Sequence, residues 1–142
     1  MTRLTLAQAN AIVEGTLAAA RSAGSAPLTV VVLDDAGHLV AAQREDGATM
    51  FRFDIAVGKA WGAVAFNVSS RNLAGKAKEN PSFVQGLSVA SGGRLLPNPG
   101  AVPIRAADGT LLGAVGVSGD SGPQDEAFAV AGVEAAGLST EV

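Results

Sequence analysis

Glycine recurs at every third position through the stretch Thr110 to Gly122, at Gly113, Gly116, Gly119 and Gly122, within an apolar run rich in β-branched residues. A glycine inside a strand marks a bulge or a place where another backbone or a ligand comes close. The run Thr110 to Ser118 is therefore predicted to be a buried strand with something packed tightly over it. Gly119-Asp120-Ser121-Gly122 reads as a tight turn, and a helix opens at Pro123, where a first helical residue tolerates the missing N–H. Gln124, Asp125 and Glu126 then place negative charge at the positive end of that helix. The glycines do not match a dinucleotide-binding loop, and the acidic residues around this helix start would repel phosphate.

The remaining elements follow from local signals. Thr5 and Gln8 have the spacing of a capping box, so a first helix runs from Thr5 to about Ala23, with Gly24 as its stop. Leu28 to Leu33 is an apolar run bounded by Pro27 and Asp34, as expected of a central strand covered on both faces. Asp34-Asp35-Ala36-Gly37 is a hairpin turn that returns as His38 to Arg44. A helix from about Met50 to Phe66 carries one stripe of Phe51, Ile55, Gly62 and Phe66. A second stripe of Phe53, Val57, Ala60 and Val64, flanked by Trp61, lies nearly opposite. A sheet can cover one stripe; the other is expected to meet a second subunit, or else a segment of the same chain.

Ser69 or Ser70 can cap a short helix through Lys78 that ends at Asn80-Pro81, after which Phe83 to Leu96 shows no clear period and reads as a long connection. Phe83, Gln85, Ser91-Gly92-Gly93 and Arg94 in this segment are candidates for a pocket wall or lid. Ala101 to Arg105 returns as a strand, with Pro103 pointing to an edge position, and Ala107-Asp108-Gly109 turns the chain into the glycine-bearing strand. The last helix stops near Gly137. This order gives an α/β (α+β) domain spanning residues 1–142, with helices packed on an antiparallel sheet of about five strands.

Composition removes several chemistries. With no cysteine, no tyrosine and one histidine, His38, there is no thiolate nucleophile, iron–sulfur site or multi-histidine zinc site. A net charge of −3 without basic runs excludes nucleic acid and anionic membrane as expected partners. Met1 to Thr5 opens no apolar signal segment and no run of apolar residues is long enough to span a bilayer, so the expected location is the cytoplasm.

Five blocks, in order, resemble the GlcG/HbpS-like family, which includes a C-terminal domain of PduO-type adenosyltransferases. They are Val31 to Leu39, Asp54 to Ala60, Pro99-Gly100-Ala101-Val102-Pro103-Ile104, Gly113 to Gly119, and Gln124-Asp125-Glu126. The resemblance implies a profilin-like sandwich and, through the association of family members with haem, binding of haem or a related tetrapyrrole; the two apolar stripes of residues 50–66 add the expectation of a homo-oligomer built through that helix. His38 is then the candidate iron ligand, and its alternative role is that of a solvated turn residue. Lys59 and Arg94 are candidate cations for the ligand's carboxylates, Phe83 a pocket wall, and Gly119 and Gln124 candidate contacts at the helix start. The alternative function is a cofactor-independent small-molecule enzyme in which Asp125 or Glu126 acts as general acid or base. Those carboxylates have a plainer reading too, as complements to the helix dipole.

Overall fold

The computed structural model describes residues 3–142; Met1 and Thr2, the start of the segment read above for an export signal, lie outside the described residues. Thr5 caps α1 (Leu6–Ala23) by the expected reciprocal pair, its hydroxyl accepting from the Gln8 N–H and the Gln8 side chain accepting from the Thr5 N–H, both at 3.0 Å. Gly24, at φ 65°, closes the helix. β1 (Thr29–Asp34) and β2 (Leu39–Arg44) form the expected hairpin. The Asp34 carboxylate ties its turn by accepting from the Ala36 and His38 N–H groups at 2.9 Å each.

β3 (Ala101–Arg105) and β4 (Leu111–Ser118) form a second hairpin, and β1 pairs with β4, giving the antiparallel order β2-β1-β4-β3. The sheet has four strands, not about five. Beyond Gly137 the chain makes only a single bridge between Ser139 and Arg105, and it is held along the outer edge of β3 by side chains. The Thr140 hydroxyl donates to the Pro103 carbonyl at 2.6 Å and Arg105 pairs with Glu141 at 2.6 Å. This tail lies where a fifth strand would, without the ladder that would make it one.

Alternation along the strands divides the interior in two. Val30, Val32, Val102, Ile104, Val115 and Val117 face α1 and the C-terminal helix α5 (Gly122–Ala135), while Val31, Leu33, Ala101 and Ala114 face α2 (Phe51–Phe66). The second face is lined by small residues because α2 lies very close to it: a Cβ on Gly116 would collide with the Ala56 carbonyl oxygen. The tight packing expected over the glycine-bearing strand is this helix. Of the two stripes read on α2, Val57, Ala60, Val64 and Trp61 pack toward the sheet, together with Ala56 and Ala63. The other is covered at Gly62 by Leu95 of the same chain, and open at Phe51 and Phe66.

The helix expected after Ser69 is present, but the stretch Phe83 to Leu96 departs from the expected long connection. Ser69 caps α3 (Ser70–Glu79), and a further helix, α4 (Pro81–Ala90), follows at once. Asn80 ends the first and starts the second: its N–H donates to the Lys76 carbonyl, and its side-chain oxygen accepts from the Phe83 N–H at 3.3 Å. Pro81 occupies the first turn of α4, where its missing N–H costs nothing. Only Val84 of α4 is buried, in a satellite cluster with Leu73 and Leu95, so no core-facing period marked this helix.

Candidate functional site

The candidate site residues do not come together: Lys59, Gly119, Gln124, Asp125 and Glu126 gather where α5 begins, Phe83 and Arg94 lie along the outer side of α2, and His38 stands at the β1–β2 turn. At the Ser118 end of β4 the start of α5 meets α2, and Lys59 and Asp125 come together although 66 positions apart. Lys59 Nζ lies 3.4 Å from Asp125 Oδ2 and donates to the Val117 carbonyl at 3.0 Å, and the two side chains are 3% and 1% exposed. Asp125 Oδ1 accepts from the Asp120 N–H at 2.9 Å. Burial pulls the Lys59 amine below its ordinary range, with Arg52 adding to the fall and Asp125 opposing it. Burial likewise pushes the Asp125 carboxyl up, against the Asp120 and Gly119 amides and the Lys59 ammonium. Lys59 is therefore an internal partner of α5 and does not reach out to solvent. Gly100 makes room for it: at φ 139° a Cβ there would stand 2.5 Å from Lys59 Nζ.

Glu126 is also buried, paired with Arg71 at the start of α3 at 2.5 Å, while Arg71 itself is half exposed. Gln124 is exposed on the first turn of α5, and Gly119 faces the Pro27 carbonyl rather than a ligand. Both carboxylates proposed for acid–base work are thus already partnered. The Ser70 hydroxyl, accepting from the Ala101 N–H at 2.9 Å, ties α3 to β3 beside them.

The other candidates lie along the outer side of α2. A chain of hollows begins at the β1–β2 turn, where Asp35 to Gly37 face Trp61, Val64 and Ala65 across about 280 Å³. It continues over Trp61, Ala65, Phe66 and Leu87 for about 260 Å³, dips into a small apolar hollow of about 70 Å³ walled by Phe66 and Phe83, and ends in about 300 Å³ between Phe51, Gly58 and Arg94 to Leu96. Trp61 and Leu95 are shared between neighbouring hollows, so together they form one trough. Arg94 lies across it, its guanidinium 4.5 Å from the Trp61 ring centroid, a cation–π contact. His38 stands exposed just beyond the turn, at the far end of β1 from Lys59, roughly 17 Å by strand length. Of the candidates, Phe83 and Arg94 line the trough, His38 stands exposed next to Gly37 at its turn end without lining it, and Lys59, Gly119, Gln124, Asp125 and Glu126 lie outside it.

The side chains lining these places were only partly legible. Trp61 flanks an apolar stripe in the sequence and Ser70 is one of two candidate helix caps there, a role that Ser69 fills, whereas Arg52, Arg71, Thr29 and Ser118 carry no signal beyond their polarity. Among the described residues no three His, Asp or Glu side chains gather to hold a metal ion, and no helix is long and apolar enough to cross a membrane.

A family model described as haem-degrading protein HbpS-like matches residues 4–134. The chain belongs to the HbpS-like family. A double mutant of HbpS from Streptomyces reticuli, solved by crystallography, superposes on this HbpS-like chain with a TM-score of 0.80 at 30% identity, covering 94% of this chain and 87% of that one. The crystal structure of a PduOC–haem complex shares the fold at a TM-score of 0.87 and 23% identity, over 99% of this chain and all of that one. An uncharacterised 15.0 kDa protein encoded between dhaT and dhaS in Citrobacter freundii is 29% identical over 103 residues, 72% of this chain and 71% of its own length.

Proposed function

We propose that the chain binds haem or a related tetrapyrrole in the trough along α2, and that a second copy of the chain closes the site in a homo-oligomer. The observation that carries the reading is the trough itself together with its aromatic rim. Of the five phenylalanines only Phe128 is buried, whereas Phe51, Phe53, Phe66 and Phe83 are 37–60% exposed, all on α2 or α4. An exposed apolar surface of this kind marks a ligand or protein contact. The family's description as haem-degrading supports the tetrapyrrole, and PduOC, a protein of the same fold, was crystallised with haem.

The residues present suit such a ligand in kind. His38 offers an imidazole at the turn end, Arg94, stacked on Trp61, a cation for a carboxylate, and Trp61, Phe66, Phe83, Leu87 and Leu95 an apolar wall. Bound haem would supply a redox-active iron; the chain's part is to ligate it through His38, seat the ring and keep water from it. No hollow of the trough exceeds about 300 Å³, the low limit of pockets that enclose an organic ligand. A partner's surface is therefore needed to bury the ring.

The test is a haemin titration followed by absorbance. The expected result is a saturable Soret shift at about one haem per chain or per pair of chains, abolished in His38→Ala. A shift that never saturates would remove the reading, and one unchanged in His38→Ala would remove that residue from the site.

A further inference from the structure

A second polar place lies beneath the first turn of α2. By strand alternation Thr29, two residues before Val31, faces α2, and so does Ser118, two after Gly116; the two are direct cross-strand partners. Their side chains are therefore about 5 Å apart at Cβ. Both residues are fully buried, and the Thr29 hydroxyl is a buried side-chain group with no hydrogen-bond partner. A buried hydroxyl without a partner is unfavourable and calls for an occupant of its surroundings. Over Ser118 comes Arg52, half-buried, whose one side-chain hydrogen bond among the described residues is a long 3.4 Å contact from Nη1 to Ser118 Oγ. A guanidinium has five N–H donors, so most of these remain unspent. Met50 adds no side-chain cap to the start of the helix above.

We infer that Arg52, Ser118 and Thr29 form a binding site for a small monocarboxylate. Arg52 presents the planar fork that matches a carboxylate, and the two hydroxyls supply further donors to its oxygens. The local charge sets the class of anion. Lys59 is offset by Asp125, and of the charged neighbours of Thr29, Arg44 opposite it is accompanied by Glu45, whose carboxylate holds the Leu28 N–H and Arg21, so Arg52 is the cation left to meet an anion here. Asp120 lies next in the chain with its carboxylate turned to the Ala26 and Ser121 N–H groups, which further disfavours a dianion. The site uses none of His38, Phe83 and Arg94, and so does not rest on the tetrapyrrole reading, although the trough ends nearby at Phe51.

Amide chemical shifts of the isotopically labelled full chain, titrated with acetate at constant ionic strength and in parallel with inorganic phosphate, test it. Saturable shifts centred on Thr29, Arg52, Ser118 and Gly119 are expected with acetate, and weaker binding with phosphate. Arg52→Gln should weaken acetate binding about tenfold, as loss of a charged hydrogen-bond partner does, and Thr29→Val by a few-fold. Shifts that rise linearly without saturating, shifts centred on Arg94, or an affinity that neither variant changes would each overturn the site. Tighter binding of phosphate than of acetate would overturn the monocarboxylate class.

Discussion

Replacing Lys59 by methionine isolates the buried pair between α2 and α5. Methionine keeps an unbranched stem of similar reach and removes only the ammonium. In the native protein the attraction across 3.4 Å is worth about 5 kcal/mol at an effective dielectric of about 20, largely offset by the cost of dehydrating both groups. The substitution removes the attraction and the lysine's dehydration cost together, but leaves the Asp125 carboxylate 1% exposed with no cation. Its remaining support is the Asp120 N–H at 2.9 Å and the start of α5. Removing one partner of a buried pair costs about 3–5 kcal/mol, and the surviving amide contact and the long native separation place this case near 3 kcal/mol. That corresponds to a fall in Tm of roughly 6–12 °C for a chain of this size.

The loss should also depend on pH with a definite sign. Burial already holds the Asp125 carboxyl above its ordinary value, and without Lys59 it rises further. A carboxyl raised in the folded state takes up its proton there first, so the folded variant gains ground as pH falls from that raised value toward the unfolded one. The deficit of Lys59→Met relative to wild type should therefore be largest near neutrality and shrink as pH falls toward the ordinary aspartate range. Urea unfolding followed by the fluorescence of Trp61, the only tryptophan, measures both. In a cycle with Asp125→Asn the double variant should recover about 2 kcal/mol relative to the sum of the single losses. Lys59→Met within ~0.5 kcal/mol of wild type at neutral pH, or a deficit that does not move with pH, would refute the argument.

Three further outcomes are expected. Gly116→Ala should cost about 3 kcal/mol in chemical unfolding, because its Cβ would meet the Ala56 carbonyl oxygen and α2 would have to lift off the sheet. Thr29→Val, which removes a buried hydroxyl without a partner while keeping its shape, should raise stability by about 1 kcal/mol in the absence of carboxylate. Phe66→Asp, on the exposed rim of the trough, should leave the thermal midpoint of the monomer nearly unchanged and reduce the mass seen by light scattering toward 14.1 kDa; a wild-type chain already at that mass would remove the homo-oligomer.

Elements whose signals are local were legible in the sequence. The Thr5–Gln8 capping box, the Gly37 and Gly109 turns and the start of α5 each need only a few neighbouring residues to be specified. Asn80-Pro81 misled because the same dipeptide that ends α3 opens α4, and a helix with one buried residue shows no period. The strand count failed for a different reason, since the tail beyond Gly137 is held by side chains along an edge and not by a ladder. At the site, nothing local could show that Lys59 meets Asp125. That contact exists only once α2 and α5 are placed at the same end of β4. Thr29 and Ser118 were hidden in the same way, each the polar end of an apolar run, and their partnership depends on register.

The tail along β3 has a consequence for how copies of this chain can join. A sheet grows indefinitely only when every molecule offers two free edges. Here Ser139 bridges Arg105, and the Arg105–Glu141 pair and the Thr140 hydroxyl hold the chain's end against β3, so that edge is occupied by the molecule itself. The remaining edge is β2. Two copies meeting there satisfy each other about a two-fold axis and leave nothing for a third, so strand addition in this fold closes at a pair and cannot run on into a fibre.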